Sequence, residues 1–292
     1  MKISIENHVL HTRFGDERSF EMLKDAGFDC VDYSFYWLQP EMDEKVLGDG
    51  YLDYACKVRN LLDDLQLECN QAHAPFEVKS EDPFDVSNVR YLRLIRSLES
   101  ASIMGAKCII VHALTPPEGV SMLEYNYRFY KSLEPYCEKF GIKVAVENLF
   151  TSPRDPETKL LSNKKFGKPA YMMELMNKLS PDNFVICIDL GHAKLTGNNP
   201  EDFIRGIDGS RLKALHVQDN DFVDDCHILP FNGKLNWNNI TESLADVGYD
   251  SELTLEVFGF LSKMEDEMLP EALKFAAATA KHLVKMLEAH KA

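Results

Sequence analysis

The chain has 292 residues, of which 45% are hydrophobic, and a formal net charge of −15 at pH 7. This length permits one large domain, because single α/β barrels reach about 250 residues or more. The acidic charge disfavours nucleic acid and anionic membrane surfaces as partners. The first residues lack the apolar core of a signal peptide, and no apolar stretch approaches the roughly 18 residues of a membrane helix. We therefore expect a cytoplasmic protein with no membrane span.

The cysteines favour the same compartment. They are scattered singly, odd in number and without a CxxC pair, which is typical of reduced thiols. The seven are Cys30, Cys56, Cys69, Cys108, Cys137, Cys187 and Cys226.

Short apolar runs recur along the chain, with segments of helical periodicity between them. These runs are rich in Val, Ile and Cys rather than alternating with polar residues, as in strands buried on both faces of a parallel sheet. No GxGxxG or Walker-type loop follows the first run, which disfavours a nucleotide-binding open sheet. The pattern predicts an α/β fold, a single parallel (β/α)₈ TIM barrel over residues 1–292. The eight runs cover residues 2–5, 28–34, 67–73, 107–113, 142–148, 184–190, 212–218 and 252–258.

Glycines mark several returns from helix to strand. Gly27, Gly105 and Gly141 each stand just before a predicted strand. At these positions a left-handed residue would end the preceding helix. We expect them to be C-cap residues rather than parts of phosphate-binding loops.

One connection is unusually long. Residues 151–169 follow the fifth strand and exceed the usual length of such a connection. The segment is a candidate lid, with a solvated loop as the alternative. Its lysines could clamp a phosphate or simply form a solvated charge run. They are Lys159, Lys164, Lys165 and Lys168.

Polar side chains recur at the carboxyl ends of the predicted strands. In a parallel barrel these ends converge on one mouth, so residues distant in sequence become neighbours. Two glutamates, an aspartate and a histidine among them form a hard, oxygen-rich set that suits a divalent cation. Buried together without a cation, such groups would be costly, which predicts a metal site. The residues are His73, His112, Glu147, Asp189, His192, His216, Asp225, His227 and Glu256.

Each of these residues also has a structural interpretation. A histidine such as His73 or His112 at a strand end often serves only as a hydrogen-bonded structural residue. Asp189 could cap a helix at its N-terminus. Asp225 and His227 could lie on a solvated loop.

The motifs around these residues resemble the sugar phosphate isomerase/epimerase superfamily of xylose isomerase-like TIM barrels. That superfamily includes ketose 3-epimerases, inosose isomerases and dehydratases, and endonuclease-IV-type enzymes. The resemblance covers nearly the whole chain. Its carriers are HAP (73–75), IIVHA (109–113), VAVENLF (144–150), CIDLGHA (187–193), ALHVQDND (214–221), DCHILPFNGKLNW (225–237) and LTLEVFG (253–259).

The resemblance implies a metal-dependent isomerase or epimerase of a sugar, sugar phosphate or inosose. Glu147, Asp189, His216 and Glu256 correspond to the metal ligands of the ketose epimerases, and we expect Mn²⁺, with Mg²⁺, Co²⁺ or Zn²⁺ as alternatives. Glu147 and Glu256 would also be the catalytic base and acid, moving a proton through an enediolate that the metal stabilises. Substrate-binding residues would be His73, His112, His192 and His227. The ketose epimerases have an arginine where this chain has His227.

Two other functions stay open. In the endonuclease-type members nine ligands hold three zinc ions, and here His73, His112, His192, Asp225 and His227 would join the four residues above as additional ligands. The chain would then be a phosphodiesterase acting on abasic DNA, which its acidic charge disfavours. The third alternative is a barrel that binds a sugar or a partner without turnover. The sequence also leaves a homo-oligomer open.

Overall fold

The computed structural model describes residues 1–36 and 40–291. Residues 37–39 and Ala292, which belong to the predicted 1–292 domain, lie outside the described residues. Each predicted apolar run contains a strand. The strands are β1 (Ile3–Glu6), β2 (Cys30–Ser34), β3 (Glu68–His73), β4 (Cys108–Val111), β5 (Lys143–Glu147), β6 (Phe184–Asp189), β7 (Leu212–His216) and β8 (Leu253–Leu255).

The strands form one parallel sheet that curls into a barrel. Its order is β7-β6-β5-β4-β3-β2-β1-β8, and every strand pair is parallel. The two ends of this order meet through a parallel bridge between Val217 and Leu255. The predicted TIM barrel is confirmed.

Helices connect successive strands. The predicted C-caps are confirmed: Gly27, Gly105 and Gly141 end their helices with φ of 91°, 98° and 67°. Short 3₁₀ helices cover Gly209–Arg211 and Asp266–Met268. The α-helices are α1 (His8–Ala26), α2 (Pro40–Leu47), α3 (Tyr51–Leu65), α4 (Val89–Met104), α5 (Met122–Phe140), α6 (Pro169–Met176), α7 (Leu190–Leu195), α8 (Pro200–Arg205), α9 (Trp237–Asp246), α10 (Phe258–Leu261) and α11 (Leu269–Lys291).

Several strands are shorter than the apolar runs that predict them. The run over 252–258 gives a strand of three residues, because Glu256 turns into the barrel mouth and Phe258 already begins α10. The run over 107–113 gives a strand that ends at Val111. Among the residues that follow these two strands, His112, Glu256 and Phe258 line the cavity at the mouth.

The inside of the barrel is divided between apolar and polar residues. Strands β4 to β7 contribute small apolar side chains, which pack together as a separate core beneath the mouth. Strands β1, β2, β3 and β8 contribute buried polar side chains. The apolar group is Cys108, Ile110, Ala145, Val185, Cys187 and Ala214, and the polar group is Ser4, Asp32, Asn70, Gln71 and Thr254.

The polar half depends on an irregularity in strand pairing. Opposite β2, Val31 pairs with Cys69 and Asp32 pairs with Gln71, so Asn70 is an extra residue in β3. Such a bulge changes the direction of side chains in the bulged strand. The Asn70 and Gln71 side chains consequently contact each other, with Asn70 Nδ2 3.4 Å from Gln71 Oε1.

The described residues form neither a disulfide nor a helix that could span a membrane. The seven cysteines, all within the described residues, form no disulfide. Among the described helices, none is both long and apolar enough to cross a bilayer.

Candidate metal centre

Four predicted ligands meet at the barrel mouth. Glu147, Asp189 and His216 are the last residues of β5, β6 and β7, and Glu256 follows β8 directly. One ligand atom from each lies within 4.8 Å of the others. All four residues are buried, with exposures of 4% or less. The fold therefore brings together a set of oxygen and nitrogen donors from four adjacent strands.

His216 lies between the two glutamates. Its Nδ1 is 3.2 Å from Oε1 of Glu147 and 3.4 Å from Oε2 of Glu256. Burial raises the pKa of Glu256 to about 7, although His216 and His227 partly offset it. Burial also opposes ionisation of Glu147, but His216 and His112 outweigh it and hold the pKa of Glu147 well below its ordinary value. A protonated His216 thus balances the carboxylates, and a divalent cation could take the place of its proton.

Asp189 has a structural role as well as its place in the cluster. Its Oδ1 accepts a hydrogen bond of 2.7 Å from the backbone N–H of His192 and caps α7, as the structural interpretation predicted. Gln218 Nε2 donates to both carboxylate oxygens of Asp189, at 3.2 and 3.3 Å. The backbone of Asp189 is paired with the Asn148 side chain on the neighbouring strand end. These contacts fix the direction of the carboxylate.

A second group of donors adjoins the first. Asp225 Oδ2 is 3.3 Å from His192 Nε2, and Asp225 Oδ1 is 3.2 Å from His227 Nε2. His227 Nδ1 in turn lies 3.3 Å from Glu256 Oε2. Ligand atoms of Asp189, His192 and His227 lie within 4.8 Å of one another. The structure thus places Asp225 and the buried His227 beside the four-residue cluster.

The remaining two histidines lie beside Glu147. Ligand atoms of His73, Glu147 and His216 fall within 4.8 Å of one another. His112 Nε2 is 2.8 Å from Glu147 Oε2, but the two groups are not aligned for a hydrogen bond. Oε2 of Glu147 is consequently a buried oxygen with no hydrogen-bond partner among the described residues. A buried carboxylate oxygen in this state fits a site built for a cation.

A cavity of about 280 Å³ opens above these ligands. His73, His112, His192 and His227 all line it, together with both glutamates. Its aromatic walls were not predicted as site residues, because aromatic side chains in a loop carry no signal that distinguishes a cavity wall from a core residue. The aromatic walls are Tyr36, Phe76, Phe150 and Phe258.

Two buried polar residues of the site were also missed. Asp32 Oδ2 lies 3.5 Å from His216 Nε2, and Gln218 binds Asp189 and donates to Asp225 Oδ1 at 3.0 Å. Gln218 stands two residues beyond His216, so strand alternation could have placed both on the same face. Asp32 lies within an apolar run and gave no such signal.

The comparison with known families identifies the fold. The sequence model of the family described as xylose isomerase-like TIM barrel matches residues 20–279. The chain belongs to this family.

Similar proteins and solved structures align with most of the chain. The uncharacterized protein y4fM of Sinorhizobium fredii is 22% identical over 285 residues, which cover 87% of this chain and 86% of that protein. A D-tagatose 3-epimerase-like protein superimposes with a TM-score of 0.73 at 20% identity, covering 100% of both chains. The IOLI protein, solved with a bound zinc atom, superimposes with a TM-score of 0.69 at 16% identity, covering 99% of both chains. At these identities the two structures show a shared fold.

Proposed function

We propose that this family member is a divalent-metal-dependent isomerase or epimerase of carbohydrates that moves a proton next to a sugar carbonyl. The observation that carries the proposal is the buried set of Glu147, Asp189, His216 and Glu256, whose ligand atoms lie within 4.8 Å of one another under an open cavity. The solved structures that resemble the chain include an epimerase-like protein and a zinc-binding one, which supports the same class.

Those four residues would hold the cation, with Mn²⁺ expected and Mg²⁺, Co²⁺ or Zn²⁺ as alternatives. When bound there, the cation supplies Lewis acidity, which favours loss of the proton beside the carbonyl and stabilises the enediolate. Glu147 and Glu256 both line the cavity, on either side of His216. We assign them the transfer of the proton, one as base and the other as acid.

The other cavity residues would bind the substrate. His73, His112, His192 and His227 present ring nitrogens that can hydrogen-bond sugar hydroxyls. The aromatic walls can pack against the C–H faces of a sugar and exclude water from the reacting carbon.

Proton transfer can be measured before the natural substrate is known. A panel of ketoses, inososes and ketose phosphates incubated in D₂O with the Mn²⁺-loaded protein should yield a compound that incorporates deuterium beside its carbonyl, observed by NMR. We expect Glu147→Gln and Glu256→Gln to slow incorporation by about 10²-fold or more, because each removes a proton-transfer group. Glu68→Gln, at an exposed glutamate at the start of β3, is the matched control. Full exchange in both active-site variants would contradict the assignment.

A second candidate is favoured by one observation, the three overlapping donor groups at the mouth. The seven residues of these groups, together with His112 and Asp225, could hold three zinc ions for phosphodiester hydrolysis at abasic DNA. Elemental mass spectrometry on chelator-free protein separates the candidates. About one metal per chain supports the isomerase or epimerase, whereas about three zinc ions with nicking of an abasic oligonucleotide supports the phosphodiesterase.

A further inference from the structure

The lysines of the segment 151–169 differ in their surroundings. Lys159, Lys164 and Lys168 are exposed. Lys159 Nζ donates to the Pro156 carbonyl at 2.7 Å, and Lys168 lies over the Tyr171 ring. Lys165 instead is partly buried and lines the cavity above the predicted metal ligands. The predicted charge run is therefore a set of solvated lysines with one member directed into the site.

Backbone pairing holds Lys165 in this position. Thr151 and Ser162 form an antiparallel bridge, with N–H to carbonyl distances of 3.0 and 3.2 Å. The Leu149 N–H donates to the Lys165 carbonyl at 3.0 Å. The segment thereby folds back over the end of β5, the strand that supplies Glu147.

Lys165 has no counter-charge within the described part of the chain. No carboxylate there lies within ion-pair distance of its Nζ, and no acceptor hydrogen-bonds it. Burial lowers its pKa. Removing an ammonium group from water without a partner is costly, so its persistence in a cavity wall indicates that a ligand supplies the partner.

Lys165 also stands where two cavities meet. A second cavity of about 380 Å³ adjoins the first, and the two share Phe76, His112 and Lys165 as walls. The second cavity contains further polar groups, including Lys79 and the carboxylate of Glu81. A substrate with its carbonyl at the metal ligands would pass Lys165 on its way into this second space.

We propose that Lys165 binds an acidic substituent of the substrate, a carboxylate or a phosphate carried on the carbon chain away from the reacting carbonyl. This inference rests on the proposed function and narrows its substrate class to acidic sugars. Lys165 would be a binding residue that selects the substrate and places its carbonyl, while Glu147 and Glu256 move the proton.

Calorimetric titration of the Mn²⁺-loaded protein tests the inference with three matched ketoses: D-fructose, D-fructose 6-phosphate and D-fructuronate, the C6 carboxylate. We expect at least one of the two acids to bind tenfold or more tightly than fructose. The acid with the greater advantage identifies phosphate or carboxylate as the preferred group. Lys165→Met should remove the advantage without changing the Kd of fructose by more than twofold, and Lys165→Arg should keep most of it.

Lys164→Met is the matched control, because Lys164 is adjacent, exposed and lines a different cavity. It should leave all three Kd values unchanged. Equal binding of acids and fructose, or absence of binding by all three, would overturn the inference, as would a Lys165→Met variant that weakens fructose as much as the acids. Deuterium incorporation without dependence on Lys165 would leave the proposed function standing while this inference fails. Lys165-dependent binding of an acid, without deuterium incorporation in any compound, would support this inference and contradict the proposed function.

Discussion

Asp32 is a buried carboxylate beside Nε2 of His216, the imidazole nitrogen that faces away from Glu147 and Glu256. Asp32 Oδ2 lies 3.5 Å from His216 Nε2 and accepts a hydrogen bond of 2.8 Å from Gln71 Nε2. An acceptor on this side favours a proton on Nε2. When a cation displaces the second proton of the imidazolium, the lone pair of Nδ1 is the one directed at Glu147 and Glu256. Carboxylates that orient a metal-binding histidine in this way raise its affinity for the cation.

Replacing Asp32 should therefore weaken metal binding without unfolding the protein. In Asp32→Asn the amide can donate to Nε2, which would move the imidazole proton to Nδ1 and block that nitrogen as a ligand. We expect the Kd for Mn²⁺, measured by competition with a chelating dye, to rise about 10- to 100-fold. Asp85→Asn, at an exposed aspartate, is the control. An unchanged Kd in Asp32→Asn would show that His216 does not depend on Asp32.

Among single residues of the candidate site, those that end apolar runs were predictable from the sequence, whereas those inside the runs were not. Glu147 and Glu256 were recognisable because a carboxylate that closes an apolar run rarely lacks a partner. Asp32 reaches His216 from within a strand, and its partner Gln71 faces it only because Asn70 is an extra residue in β3. That bulge is a property of backbone pairing, and strict alternation would have placed Asn70 and Gln71 on opposite faces.

The segment between β7 and α9 carries Asp225 and His227, and the buried carboxylate of Asp219 contributes four of the hydrogen bonds that hold it in place. Oδ1 of Asp219 accepts hydrogen bonds from the N–H groups of Asn220 and Leu235, at 2.9 and 3.1 Å. Oδ2 accepts from the Phe231 N–H at 3.1 Å and the Trp237 Nε1–H at 2.9 Å. Four donors thus converge on a side chain with no exposure. Through the hydrogen bond from Trp237, the Asp219 carboxylate connects the segment after β7 to the first residue of α9.

Asp219→Asn should destabilise the protein substantially. Whichever way the amide is oriented, its NH₂ group faces two N–H donors, so two hydrogen bonds to a charged acceptor are lost and buried donors are left unpaired. We expect the free energy of unfolding in urea to fall by about 2–3 kcal/mol. Asp224→Asn, at an exposed position of the same segment, should change it by less than about 0.5 kcal/mol. Similar values for the two variants would mean that Asp219 is not the anchor.

The elements and their arrangement in a barrel were largely predictable, whereas the contacts made by the long connection after β5 were not. Apolar runs, glycine C-caps and helical periodicity are local signals, and they gave the eight strands in the right order. Residues 151–169 were predicted as a lid or a solvated loop. In the structure the segment folds back on itself through the Thr151–Ser162 bridge, and the hydrogen bond from the Leu149 N–H to the Lys165 carbonyl ties it to the residues just after β5. Contacts between residues that lie apart in the chain have no local signal, so the position of Lys165 could not be predicted.

Across the whole molecule, the barrel is not equally well closed on all sides. Every pair of neighbouring strands other than β7 and β8 shares at least three paired positions. Between β7 and β8 the bridge at Val217 provides two backbone hydrogen bonds, from its N–H to Thr254 at 2.9 Å and from the Glu256 N–H to its carbonyl at 3.1 Å. We call this junction between β7 and β8 the seam. His216 ends the strand on one side of the seam, and Glu256 follows the strand on the other side.

The position of the ligands across the seam has a kinetic consequence. Because a single bridge pairs β7 with β8, this pairing contributes little stability by itself, and we expect it to form late as the chain folds. A cation held by His216 and Glu256 would then stabilise the native barrel but not the transition state that precedes closure. In that case it slows unfolding and leaves the refolding rate nearly unchanged.

Stopped-flow unfolding and refolding in urea, with and without Mn²⁺, measures both rates. At a hundred times the Kd, binding contributes about 2.7 kcal/mol, and we expect almost all of it in an unfolding rate about 100-fold lower. Glu256→Gln, which loses the donor on one side of the seam, should show a much smaller change. If Mn²⁺ instead accelerated refolding by a comparable factor, the site would already exist in the transition state. The ion would then promote folding of the barrel rather than only slow its unfolding.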